Sequence, residues 1–161
     1  MKILRQNSIM GACFPMSSED VKGELPHALN LLVAGGLVFR DRCVFLSSLL
    51  GQCSSIDRKE LLDETGYECF VNKIHIEDYA QEDLVSIGMR FLREISSLCL
   101  AANVSFPVHG VISAADDCVI VRFHRVRPGQ NWLDADLENY KAEGIAEVEV
   151  YHPVEAESRG D

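Results

Sequence analysis

The run from His109 to His124, HGVISAADDCVIVRFH, constrains the fold more than any other part of this chain. Apolar and polar residues alternate on both sides of Asp116-Asp117, the period-two pattern of two half-buried strands joined by a tight turn. A turn centred on those aspartates pairs Ala115 with Cys118, Ser113 with Ile120, Val111 with Arg122 and His109 with His124. Val108, Ile112, Ala114, Val119, Val121 and Phe123 then share one face, which belongs in the core. His109, Val111, Ser113, Cys118, Ile120, Arg122 and His124 share the other, which is mixed. An antiparallel pair with one buried face is therefore the unit around which the rest must pack.

The flanking segments supply partners for it. Pro26 suits a first helical position, and HALNLLVA runs from there to the stop at Gly35-Gly36. GLVF and CVFL around RDR predict a tight apolar hairpin. Ser55 is a candidate cap for a short helix, IDRKELLDE, ending at Gly66. Residues 68–77, ECFVNKIHIE, alternate as a strand, with Phe70, Ile74 and Ile76 on one face. Asp78 with Gln81 resembles a capping box. From there to about Ala102, Leu84, Ile87, Phe91, Ile95, Leu98 and Ala102 recur at helical spacing and form a stripe wide enough to lie on a sheet. PGQNW is a turn, DADLENYKAE a short acidic helix, and IAEVEVY a last strand. Its Glu147 and Glu149 alternate with Ala146, Val148 and Val150, and fall near Arg122 and His124 if that strand joins the sheet. The expected fold is α+β: a largely antiparallel sheet of about six strands, with about four helices packed mainly on one face. A single domain spans 1–161, with 155–161 as a frayed tail.

Composition narrows the function. The chain has 161 residues, 47% of them hydrophobic and 25% charged, within the range of folded soluble domains. Its longest apolar runs fall short of the roughly 18 residues a membrane helix needs, and the N-terminus lacks the apolar core of a signal peptide. Six cysteines without a CxxC pair predict reduced thiols, several of them buried, and a cytoplasmic setting. Net charge is −10, and residues 132–161 hold nine acids against two bases. Such a surface repels nucleic-acid phosphates; on charge alone it serves first to keep the chain soluble and second to attract a basic protein.

Motifs for chemistry are sparse. Two facing histidines suggest a metal, yet zinc takes three or four protein ligands and no HExxH or CxxC spacing provides them. The expectation is no metal and no cofactor, with the histidine-bearing face a solvated sheet surface first and a contact face second. Cys13, in GACFP, is the most loop-like thiol but lacks a catalytic signature. Gly35-Gly36 fits no phosphate-loop pattern, and no GxSxG is present. Arg125 and Arg127, in RFHRVR, are expected to pair with the acidic C-terminal segment. Trp132 is a candidate anchor, either of the core or of an interface. Asp134, Asp136, Glu138, Glu147 and Glu149, with Trp132, form the primary candidate partner-binding set. His109, Arg122 and His124 form a secondary face, which would carry the chemistry if the chain were a small hydrolase or transferase. GLVFRDRCVFL would serve self-association in a structural subunit.

Two stretches, YECFVNKIHIEDY with the helix after it and VIVRFHRVRPGQNWLDADLENYKAEGIAEVEV, resemble segments of small acidic bacterial immunity proteins. These are the cognate inhibitors made beside contact-dependent growth-inhibition and other polymorphic toxins. The resemblance is one of class and carries no shared motif. It implies a non-catalytic cytoplasmic binding protein; charge and hydropathy separately predict no nucleic-acid or membrane contact, and a monomer or weak dimer is expected. Such a protein neutralises a basic toxin domain, commonly a nuclease, by covering its active site or substrate surface.

Overall fold

The computed structural model describes residues 1–17, 21–53 and 63–154. In chain order these form β1 (Lys2–Gln6), α1 (Ser8–Cys13), α2 (His27–Ala34), β2 (Leu37–Arg40), β3 (Cys43–Leu46), α3 (Ser47–Leu50), α4 (Glu64–Val71), β4 (Ile74–His75), α5 (Leu84–Ala101), β5 (Val108–Ala115), β6 (Cys118–Arg125) and β7 (Gly144–Tyr151). The fold is α+β, with a five-stranded antiparallel sheet in the order β1-β7-β5-β6-β4 and a separate β2-β3 hairpin. The expected cap at Ser55 and the expected frayed tail lie outside the described residues.

The central hairpin pairs in the register its alternation demands, from Ala115 opposite Cys118 to His109 opposite His124. β7 joins the free side of β5, setting Glu147 opposite Val111 and Glu149 opposite His109. β1 closes that edge, with Arg5 opposite Glu147. On one face, Ile87, Phe91, Leu92, Ile95 and Cys99 of α5 are buried with Ile112, Val121, Phe123, Val148 and Val150. Each large apolar side chain in that layer contributes about 1.5–3 kcal/mol. Helix and sheet approach closely at two glycines. A Cβ on Gly88 would stand 2.9 Å from Val121 Cγ2, and one on Gly110 would stand 2.7 Å from Leu92 Cδ1.

Residues 68–77 are not one strand. α4 occupies Glu64–Val71, and only Ile74–His75 pair, with β6. The helix runs through Gly66, and its N-cap is Asp63, whose carboxylate accepts from the Gly66 N–H at 2.7 Å. This helix buries polar groups beside apolar ones: Glu68 and Asn72 are fully covered along with Cys69 and Val71, while Phe70 is 43% exposed. Glu68 and Asn72 lie four residues apart on one helical face and serve two strand edges at once. Glu68 accepts from the Val44 N–H (2.7 Å) and the Arg125 N–H (3.0 Å). Asn72 accepts from the Leu46 N–H (3.1 Å) and donates to the carbonyls of Val44 (2.9 Å) and Phe123 (3.1 Å). Side chains thus replace a neighbouring strand for both β3 and β6, satisfying backbone groups that would otherwise be buried unpaired.

The helix expected to start at Asp78 starts at Leu84, because Ile76–Asp78 tightens into one 3-10 turn that buries Ile76. β2 and β3 turn at Asp41-Arg42, both with positive φ (51° and 66°), the conformation a two-residue hairpin loop requires. Among the described residues the six cysteines form no disulfide, and Cys43, Cys69 and Cys99 are buried. Among the described residues, no helix is long and apolar enough to cross a membrane.

The opposite sheet face departs most from expectation. Instead of facing solvent, Val111 and Ile145 are buried with Leu133 and Leu137 in a second small core, and Tyr140 packs against it. Residues 132–143 form a strap across this face. The acidic helix expected there shrinks to a 3-10 turn, Leu137–Asn139. Its aspartates compete with the helix for backbone amides: Asp134 Oδ1 takes the Asp136 N–H (2.9 Å) and Asp136 Oδ1 takes the Glu138 N–H (3.0 Å). Buried Asn7 pins the end of the strap. It donates to the carbonyls of Tyr140 (3.2 Å) and Glu143 (2.9 Å), and accepts from the N–H groups of Met10 (2.9 Å) and Ile145 (3.0 Å).

Candidate functional site

The strap and the histidine pair, separate candidates in the sequence, meet at one place. A cavity of about 100 Å³ is lined by Arg5, His109, His124, Trp132 and Glu147, together with residues of the 126–133 turn. The two imidazoles lie edge to face, with ring centres 6.3 Å apart.

Hydrogen bonding fixes how each ring presents itself. His109 Nδ1 is 2.9 Å from Glu147 Oε1, and His124 Nδ1 is 2.9 Å from the Arg125 carbonyl. Carboxylate and carbonyl oxygens only accept, so both Nδ1 atoms carry the proton. Burial pushes the His124 pKa down, which favours its neutral form. Glu147 is held between two donors, with Arg5 Nε at 2.6 Å from its other oxygen. The hydrogen bond from His109, reinforced by Arg5, pulls the Glu147 carboxyl down to about 2 against the upward push of burial. Arg5 also donates to the carbonyls of Asp134 (3.0 Å) and Ala135 (2.9 Å), tying the strap to the sheet.

The remaining predicted residues separate into two groups. Trp132 is 39% exposed and is therefore not a core anchor; the Arg122 guanidinium lies 5.4 Å from its ring centre. Asp134, Asp136 and Glu138 are exposed along the strap. Glu138 takes the Ser8 N–H and hydroxyl, both at 2.7 Å, and Asp134 takes the Asn139 amide at 3.2 Å. These bonds hold both carboxyls below their ordinary range: for Asp134 chiefly the amide of Asp136, for Glu138 chiefly the hydroxyl of Ser8. Glu149 stands apart, 3.6 Å from His152.

Among the described residues, Arg125 and Arg127 do not pair with the acids that follow Trp132. Arg127 reaches Glu68 at 2.6 and 3.0 Å, and Arg125 lies 4.4 Å over the ring of Phe106. Sequence reasoning also missed Arg5, because β1 was not recognised as a strand; its register beside β7 is what aims Arg5 at Glu147.

Residues 5–157 match the model described as "Uncharacterized protein PM0498 family". The chain belongs to the PM0498 family. The matched span takes in Arg5, the α4 joint, the central hairpin and the strap, so the whole site falls within the PM0498 family match. No curated protein and no solved structure matches the chain.

Proposed function

We propose that this protein is a non-catalytic binding module of the cytoplasm, which uses its acidic strap to neutralise a basic protein. A toxin domain, a nuclease foremost, is the partner class the immunity-protein resemblance favours. The observation that carries the reading is the state of Asp134, Asp136 and Glu138. Each is exposed, and each is fixed by short bonds to backbone or side-chain donors within the chain. Pre-fixed charges lose little side-chain entropy when a lysine or arginine docks on them, so complementarity converts more fully into affinity. Half-exposed Trp132, backed by Arg122, supplies the apolar anchor beside them. Glu147 is committed to Arg5 and His109 and acts in this reading by holding the strap. Glu149 contributes to the field.

Co-expression with the product of the neighbouring upstream reading frame tests this. The expected result is a stoichiometric complex whose association rate falls steeply with salt and drops about tenfold or more when Asp134, Asp136 and Glu138 are reversed to Lys. A complex indifferent to both salt and charge reversal overturns the strap as the contact surface.

One observation favours a second reading, a small hydrolase or transferase: the His109–Glu147 dyad opens on a cavity beside His124. Its volume decides the ranking. About 100 Å³ is well below the 300–1,000 Å³ of a usual ligand pocket. Turnover that disappears in His109→Gln would promote this reading over the first.

A further inference from the structure

A second cluster lies at the β4 edge, away from the strap. β4 pairs with β6 so that His75 is opposite Ile120. Continuing that register brings Glu77 beside Cys118, although 41 residues separate them in sequence. The three side chains converge on a single oxygen. His75 Nδ1 lies 2.9 Å from Glu77 Oε1, and the Cys118 thiol donates to the same atom at 3.0 Å. The other oxygen, Oε2, is held by the Val119 N–H at 3.0 Å, which fixes the carboxylate plane. One donor atom from each residue lies within 4.8 Å of the other two, and all three residues are partly exposed.

We propose that His75, Glu77 and Cys118 form a binding site for a divalent transition ion, with Zn²⁺ the best match. The donor set is imidazole, carboxylate and thiolate, the mixture zinc takes, whereas Mg²⁺ and Ca²⁺ prefer oxygen alone. In a tetrahedral zinc site the donor atoms stand roughly 3.4–3.6 Å apart, from ordinary Zn–N, Zn–O and Zn–S distances. The two hydrogen-bonded edges therefore need to open by only about half an ångström to admit an ion in place of the two bridging hydrogens. Binding replaces Cys118 S–H by Cys118 S–Zn and releases one proton to solvent, while the His75 proton moves from Nδ1 to Nε2. Three protein ligands leave the fourth position open to water or to a donor from another molecule, as in catalytic rather than structural zinc sites. The ligands come from β4, the turn after it and the first residue of β6, so the ion would also clip a two-residue strand to the hairpin.

Untagged protein is stripped with a chelator, exposed to Zn²⁺, and assayed for retained metal after gel filtration. Co²⁺ is then substituted to read sulfur ligation by its thiolate charge-transfer absorption. The expected result is one ion per chain and a cobalt–thiolate band. Both disappear in Cys118→Ser, and affinity falls more than about 100-fold in His75→Gln and Glu77→Gln, beyond the 10–100-fold typical of outer-shell changes. Cys53→Ser and the double variant His109→Gln, His124→Gln retain the ion. Absence of retained metal in the parent protein overturns the site, as does retention that survives Cys118→Ser, a missing cobalt–thiolate band, or loss in the His109/His124 double variant. The cobalt band is read on the parent protein, so the test holds even if a variant fails to fold.

Discussion

Glu68 and Glu147 make the same bond and do different work. Each accepts an arginine nitrogen at 2.6 Å. The Glu68 side chain has no exposure and the Arg127 side chain only 9%; Arg5, beside Glu147, is 36% exposed. Burial pushes the Glu68 pKa up, and the Arg127 fork with the amides of Val44 and Arg125 opposes that push. Every one of those partners is an N–H donor, so the geometry is that of a carboxylate. Arg127 in turn, though burial disfavours its charge, is held cationic by the hydrogen bond and charge of Glu68. Glu147 meets an arginine and a histidine near solvent, where the ion pair is screened and its members are free to exchange with water. The first site is a joint between two strand edges. The second is a latch between sheet and strap. Chemically similar pairs thus separate by burial into one group that holds the fold and one that holds a surface.

The sharpest way to break this comparison is to remove one member of each pair. Glu68→Ala leaves a largely buried guanidinium without its counter-charge and the amides of Val44 and Arg125 unpaired, and is expected to lower unfolding free energy by about 3–5 kcal/mol. Arg127→Ala is expected to fall in the same range. Asn72→Ala, which orphans Val44 O, Phe123 O and the Leu46 N–H, is expected to cost about 2–3 kcal/mol. Urea denaturation measures all three. A loss below about 1 kcal/mol for Glu68→Ala would mean that α4 does not join the two strand edges.

Glu147→Gln is expected to cost less, on the order of 1–2 kcal/mol at neutral pH, because water replaces part of what Arg5 loses. Its pH dependence identifies it. The folded pKa of about 2 lies below the roughly 4.3 of an unfolded glutamate, so its contribution is complete above about pH 5. That contribution declines as pH falls through 4 toward 2. The stability gap between parent and Glu147→Gln should therefore close on acidification, as followed by urea midpoints at successive pH values. A gap independent of pH would assign the loss to packing instead of charge.

What the sequence revealed follows the same division. The hairpin was legible because period two and a two-aspartate turn specify register together, and the α5 stripe was legible because its apolar face is the buried one. α4 is not legible because it and its C-cap bury Glu68 and Asn72 beside Cys69 and Val71, while Phe70 faces out. ECFVNKIHIE alternates by accident, and Asp63, which caps a helix start, precedes a glycine that in sequence signals a helix end. The strap was missed because Leu133 and Leu137, four residues apart, suggest a helix; the aspartates between them bind backbone amides and prevent one. Glu77 and Cys118 share no local spacing, so only strand pairing brings them together. The shared face of His109, Arg122 and His124 is legible because register alone sets it. Their grouping with the strap is not, since it depends on what covers the sheet.

The smallest expected effect is the most discriminating for function. Asp134→Asn, Asp136→Asn and Glu138→Gln remove charge from the strap but keep an oxygen in place for the amides of Asp136, Glu138 and Ser8. Fold stability should change far less than in Glu68→Ala, because these bonds accept equally well from an amide carbonyl in a solvent-exposed setting. Association with a basic partner should slow about tenfold at low salt, and the difference should vanish as salt is raised beyond the point where the Debye length is about 3 Å. Stopped-flow association across a salt series reads both quantities. If the neutral variants unfold easily while association is unchanged, the strap carboxylates exist to shape the cover over Val111 and Ile145. If stability holds and association slows, the exposed latch is a binding surface, and burial alone has divided two arginine–glutamate pairs between architecture and recognition.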